Sequence, residues 1–181
     1  MICKYRVTLA GIKGFFRVYE IGSEHTLYRF HKQLRADMEF PMDQPILFKA
    51  FDAEGNVIAR YALIDLGFGT VDSVTIEQTI KAGAVKFVYF YDTTSKKSVT
   101  ITLEAQEPGT GKLPVIVESK GPNPIEFENG YVAFEDLPEQ RRKLPGEVSD
   151  DDDEDLDDDE EDEDEDEDDG EKEELLYDEN E

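Results

Sequence analysis

Apolar and polar residues alternate over several short runs of the chain, a period-two pattern that marks strands with one buried face. Ile2 to Ala10 and Phe15 to Ile21 are such runs, joined by G-I-K-G, a glycine-bounded connection of hairpin length. Ile46 to Asp52 and Val57 to Asp65 flank A-E-G-N and predict a second hairpin. V-K-F-V-Y-F-Y-D, S-V-T-I-T-L-E and L-P-V-I-V-E-S add three more strand-like runs.

Two segments change the period. S-E-H-T-L-Y-R-F-H-K-Q-L-R-A-D-M brings Leu27, Phe30, Leu34 and Met38 back at helical spacing, with Ser23 or Thr26 placed to cap its start and Pro41 just past its end. T-I-E-Q-T-I-K-A-G predicts a shorter helix that stops at Gly83. Helices are therefore expected at 26–38 and 75–82. Beyond Glu118, K-G-P-N-P-I-E-F-E-N-G turns on Pro and Gly, and Tyr131 to Leu137 fits either an edge strand or a short helix. Few, short helices among hairpin-linked strands argue an α+β fold: a mainly antiparallel sheet with two short helices.

Charge divides the chain in two. Of 45 acidic residues, 26 lie from Gly146 onward beside Lys172 as the one base, which leaves 19 acids and 18 bases in residues 1–145. The formal charge of −26 thus belongs to the tail, and the body is near neutral. One α+β domain over 1–145 and an Asp/Glu-rich tail over 146–181, expected to be disordered, follow, with the boundary near Pro145. Cys3 is the sole cysteine, which excludes a disulfide framework and a cysteine-rich zinc site. Lys4 and Arg6 interrupt the N-terminal apolar residues, and no apolar run approaches the ~20 residues of a membrane span, so a cytoplasmic, soluble protein is the expectation.

The order F-F-R-V-Y-E-I, T-L-Y-R-F-H-K-Q-L, I-L-F-K-A-F, V-Y-F-Y-D and I-T-L-E resembles the plasmid pRiA4b Orf3-like family, over about the first 125 residues. Phe16-Arg17 match its aromatic-Arg strand, and Phe30-His31 with Leu27 match its Leu-His helix. The resemblance implies a fold and an association with mobile elements (insertion-element passenger or TnpR-like proteins), and it carries no settled activity. The family's Y-D-F-G-D-x-W-x-H-x-I pattern is kept only at Tyr91, Asp92 and Ile101, while Thr93, Thr94, Ser95, Lys97 and Val99 replace Phe, Gly, Asp, Trp and His. Asp43-Gln44 stands where the family has an acidic-His pair.

Motifs for chemistry fail on their context. E-P-G-T-G-K-L looks like a phosphate loop, but Gln106 replaces the first glycine, Leu113 replaces the Ser/Thr that would hold magnesium, and Pro114 with a strand follows instead of a helix. G-F-G-T lacks a third glycine and reads as a turn. A calcium loop centred on Gly170 puts Leu176 where a bidentate Glu is required. His25 and His31 are turned ~240° apart on a helix at ~100° per residue and share no face. Cys3 reads as a small core residue. No catalytic constellation, metal site or cofactor is expected.

One surface and one segment invite a binding role. Arg29, Lys32 and Arg35 recur at three-residue steps on the first helix and are expected to form an outward basic ridge, a dock for an anion. An extended chain of Asp and Glu places a residue per ~3.4 Å, close to the ~3.4 Å phosphate spacing of one DNA strand, so the tail can compete for basic surfaces. Leu175, Leu176 and Tyr177 form its apolar cluster, a candidate docking motif, and Arg141, Arg142 and Lys143 lie beside the hinge. The expected function is a non-enzymatic binding or accessory module whose acidic tail engages a basic protein or competes with nucleic acid, with no membrane partner. The alternative is a small-ligand binder or an enzyme seated in the α+β body.

Overall fold

A computed structural model describes residues 1–142; the expected boundary at Pro145 and the Leu175-Leu176-Tyr177 cluster lie outside the described residues. All seven expected strands are present: β1 (Ile2–Leu9), β2 (Ile12–Gly22), β3 (Leu47–Phe51), β4 (Val57–Tyr61), β5 (Lys86–Asp92), β6 (Lys97–Glu107) and β7 (Val115–Lys120). They form one sheet in the order β4-β3-β5-β6-β1-β2-β7, with every neighbouring pair antiparallel. The fold is α+β, as the alternation implied.

Both expected helices form, as α1 (Leu27–Met38) and α2 (Ile76–Lys81). Thr26 is the N-cap of α1 and accepts from the Arg29 N–H. Thr75 caps α2 in a reciprocal box with Gln78. A six-residue helix depends on such a cap, so Thr75→Ala is expected to cost about 1 kcal/mol, checked as a drop in urea midpoint. A third helix, α3 (Pro124–Glu128), stands where only turns were expected: Pro124 opens it and Glu126 sits in its first turn. The open question over Tyr131 to Leu137 resolves to a single 3-10 turn at Phe134–Asp136. No helix among the described residues is long and apolar enough to cross a membrane.

The sheet has two unlike faces. Cys3, Tyr5, Val7, Phe15, Tyr19, Ile21, Phe48, Phe87, Tyr89, Val99 and Ile101 are fully buried on one of them. There Phe30 of α1 packs between Tyr5 and Tyr19, with ring centroids 5.6 and 5.5 Å away. Phe127 of α3 meets Phe15 edge-on at 6.1 Å. The alternate positions of β1, β3 and β5 are only half-buried, and among the described residues no helix covers that side. Gly121, at φ +74°, lets the end of β7 close on β2: a Cβ there would lie 2.1 Å from the Gly14 carbonyl oxygen.

Candidate functional site

Of the three ridge residues, Arg29 and Lys32 are exposed, but Arg35 is 1% exposed, which overturns its place on an outward ridge. Each three-residue step turns the helix back by ~60°, so Arg35 is rotated ~120° from Arg29, onto the flank shared with His31 and Met38. There it donates from Nε to the Tyr89 hydroxyl at 2.7 Å and from its two Nη atoms to the carbonyls of Pro41 and Pro45. Arg35 is therefore a clasp on the 39–46 loop, and it is not available to a ligand.

Tyr89 also meets His31 Nδ1 at 2.9 Å. The direction of that hydrogen bond follows the histidine's tautomer, since a hydroxyl can both donate and accept. Burial, reinforced by Arg35 and Lys32, pushes the His31 pKa down to about 4. Burial pushes Tyr89 up to about 12, against the pull of Arg35. Cys3 is fully buried, and burial raises its thiol pKa.

The glycine-rich stretches are held by internal carboxylates. Glu24 accepts the Gly111 N–H and Glu20 pairs with Lys112, so the look-alike phosphate loop is already occupied. In G-F-G-T, Asp65 accepts from Gly67 at 2.7 Å and Gly69 at 2.9 Å, a turn that leaves Leu66 and Phe68 about half exposed. Beside that turn a groove of about 490 Å³ runs between β4 and α2, lined by residues including Ile58, Tyr61, Phe68, Val74 and Gln78.

A charged cluster that sequence reasoning missed lies on the uncovered sheet face. Lys49 of β3 stands directly opposite Arg60 of β4 and, on its other side, Val88 of β5. One row along, Val57, Phe51 and Lys86 are paired, and on the far side of Lys49 Leu47 pairs with Phe90. Lys49 Nζ sits 4.9 Å from the Phe90 ring centroid and Lys86 Nζ 5.0 Å from that of Phe51. Among the described residues, none of Lys49, Arg60 and Lys86 makes an ion pair. Of the carboxylates on or beside these strands, Glu104 pairs with Arg6, Asp52 accepts the Asn56 N–H and Asp92 accepts the Ser95 N–H. Like charges set directly opposite on paired strands oppose sheet formation, so among the described residues this arrangement is electrostatically incomplete.

A family model described as plasmid pRiA4b ORF-3-like protein matches residues 1–178. The chain belongs to that family. A crystal structure of a protein of unknown function from Methanosarcina mazei Go1 shares the fold, with a TM-score of 0.55 and 15% identity, over 67% of this chain and 70% of that one. No curated protein matches the chain. Where this pRiA4b ORF-3-like chain departs from the family pattern, Lys97 pairs with Glu128 at 2.5 Å and Val99 is buried in the core. The retained Tyr91 donates to the same Glu128 at 2.8 Å, and burial first, then that carboxylate, raises its pKa. These residues tie α3 to the β5–β6 hairpin.

Proposed function

We propose that this chain is a non-enzymatic binding module whose uncovered sheet face takes a polyanion, and whose acidic segment competes with nucleic acid for basic surfaces. One observation carries the reading: Lys49 facing Arg60, with Lys86 diagonal to Lys49 on the other neighbouring strand and no carboxylate partner among the described residues. A bound anion relieves that like-charge contact. The segment from Gly146 onward, with 26 acidic residues, is itself a polyanion of comparable linear charge density. Arg29 and Lys32 add a smaller basic spot on α1.

The test measures binding of labelled polyphosphate by the full chain and by a chain ending at Arg142, in about 0.01 M salt, where the screening length is ~30 Å. The shorter chain is expected to bind, the full chain to bind at least tenfold more weakly, and Lys49→Glu with Arg60→Glu to abolish binding. Three ionic contacts predict that log affinity falls with log salt at a slope of roughly −2 to −3. If the shorter chain ignores polyphosphate at that salt, the proposal is wrong.

The groove between β4 and α2 favours a second reading, a small-ligand site in the body, since its volume of about 490 Å³ suits a compact ligand. In that case a metabolite would raise Tm by several degrees in the parent chain and leave Gln78→Trp unmoved.

A further inference from the structure

We propose that the polyanion of the uncovered face is a single strand of nucleic acid, its bases stacked on Phe51 and Phe90 and its phosphates held by Lys49, Arg60 and Lys86. This rests on the polyanion reading above and adds the class of ligand. The argument begins with the order of residues along the strands. Three cross-strand rows succeed one another: Val57-Phe51-Lys86, then Arg60-Lys49-Val88, then Leu47-Phe90. An aromatic ring therefore stands on each side of a row of two cations.

Phe51 and Phe90 are four residues apart across adjacent antiparallel strands. At ~3.3 Å per residue and ~4.8 Å between strands, that places them roughly 14 Å from one another. A stacked single strand, at a phosphate per ~3.4 Å, covers the gap with about four nucleotides. Both ends of such a run meet an aromatic ring, and its middle passes between Lys49 and Val88, with Arg60 one strand further out on β4, within reach of a phosphate by its long side chain.

In the free protein each of these rings is covered by a lysine ammonium, Lys86 over Phe51 and Lys49 over Phe90. A half-exposed cation–π contact is weak, and a base stacked on the same ring is held more firmly. A strand that arrives therefore takes over the ring face while the displaced lysine swings, on its flexible stem, to the neighbouring phosphate. Both partners of the original contact gain a stronger one. A duplex cannot make this exchange, because its base faces are already stacked inside the helix and only its phosphates reach the rows. A polyanion without bases likewise engages the cations and ignores the rings.

The experiment uses the full chain and, as a second arm, the chain ending at Arg142. Fluorescein-labelled 12-residue RNA and DNA single strands, the corresponding duplexes and polyphosphate are titrated in about 0.01 M salt. Single strands are expected to bind about tenfold or more tightly than duplex at equal phosphate concentration. Phe51→Leu with Phe90→Leu, which keeps the face apolar, is expected to weaken single-strand binding about tenfold or more and to leave polyphosphate binding unchanged. Lys49→Glu with Arg60→Glu should remove all of it. Equal affinity for single strand and duplex, or indifference to the Phe-to-Leu pair while polyphosphate still binds, overturns the stacking proposal and leaves the polyanion reading in place. No binding of any probe overturns both.

Discussion

Arg35→Met is expected to destabilise the domain by about 1–3 kcal/mol, seen as a lower urea midpoint with an unchanged slope. Two effects of opposite sign meet here. Guanidinium burial is costly, and replacing buried charges by apolar residues of similar volume is often neutral or stabilising. Yet Arg35 has no carboxylate partner among its contacts; it serves three neutral oxygens, those of Tyr89, Pro41 and Pro45. Methionine would fill much of the volume but remove the donor of the buried Tyr89 hydroxyl, at ~1–3 kcal/mol for a buried hydrogen bond lost, whereas the carbonyls of Pro41 and Pro45 belong to exposed residues and can turn to water. The lost bond therefore outweighs the regained hydration. Arg35→Lys should recover only part of the loss, since one ammonium on a flexible stem does not reproduce the guanidinium fork. A stabilised Arg35→Met protein would show that the loop needs no clasp.

Acid is expected to weaken the same region through His31. Its folded pKa, about 4, lies below the unfolded value of ~6.5, so the unfolded chain binds the extra proton first. Stability is whole above pH ~6.5, declines as pH falls towards 4, and loses nothing more from this group below that. The full shift corresponds to on the order of 3 kcal/mol as an upper bound. Urea titrations at pH 7 and pH 4.5 on the parent and on His31→Gln check it: the variant should be weaker at pH 7 and flatter between the two. Equal pH dependence in both would assign the acid sensitivity to other groups.

Local chemistry made much of this fold readable. The strand and helix periods, Thr26 and Thr75 as caps, and Gly83 as a stop all act over a few residues, and each expected element formed, the strand expected over Val57 to Asp65 ending early at Tyr61. The Lys49–Arg60 pair was hidden for a reason of register. The β3–β4 hairpin begins with Phe51 opposite Val57, which would bring Lys49 against Ala59; one extra residue, a bulge at Ile58, shifts the ladder so that Arg60 arrives instead. Lys86 and Phe90 join the cluster only because β5 inserts beside β3, a pairing that no hairpin rule implies. Arg35 misled because its burial depends on a loop that folds over the flank of α1 and supplies carbonyls to it.

The place of β1 in the sheet bears on how the chain folds as it is made. β1 lies between β2 and β6, with Ile2 opposite both Gly22 and Glu107, while β2 waits for β7 and the pairing of Val18 with Glu118. A nascent chain can form the β1–β2 hairpin early, but the outer edge of β1 stays open until β6 (Lys97–Glu107) has appeared and that of β2 until β7 (Val115–Lys120) has. Long-range ladders of this kind fold slowly and leave edges exposed to mispairing. The vulnerable moment in this protein's life is thus during translation, when a β1–β2 ribbon with a fully formed apolar face has neither its neighbours nor α1 packed against it.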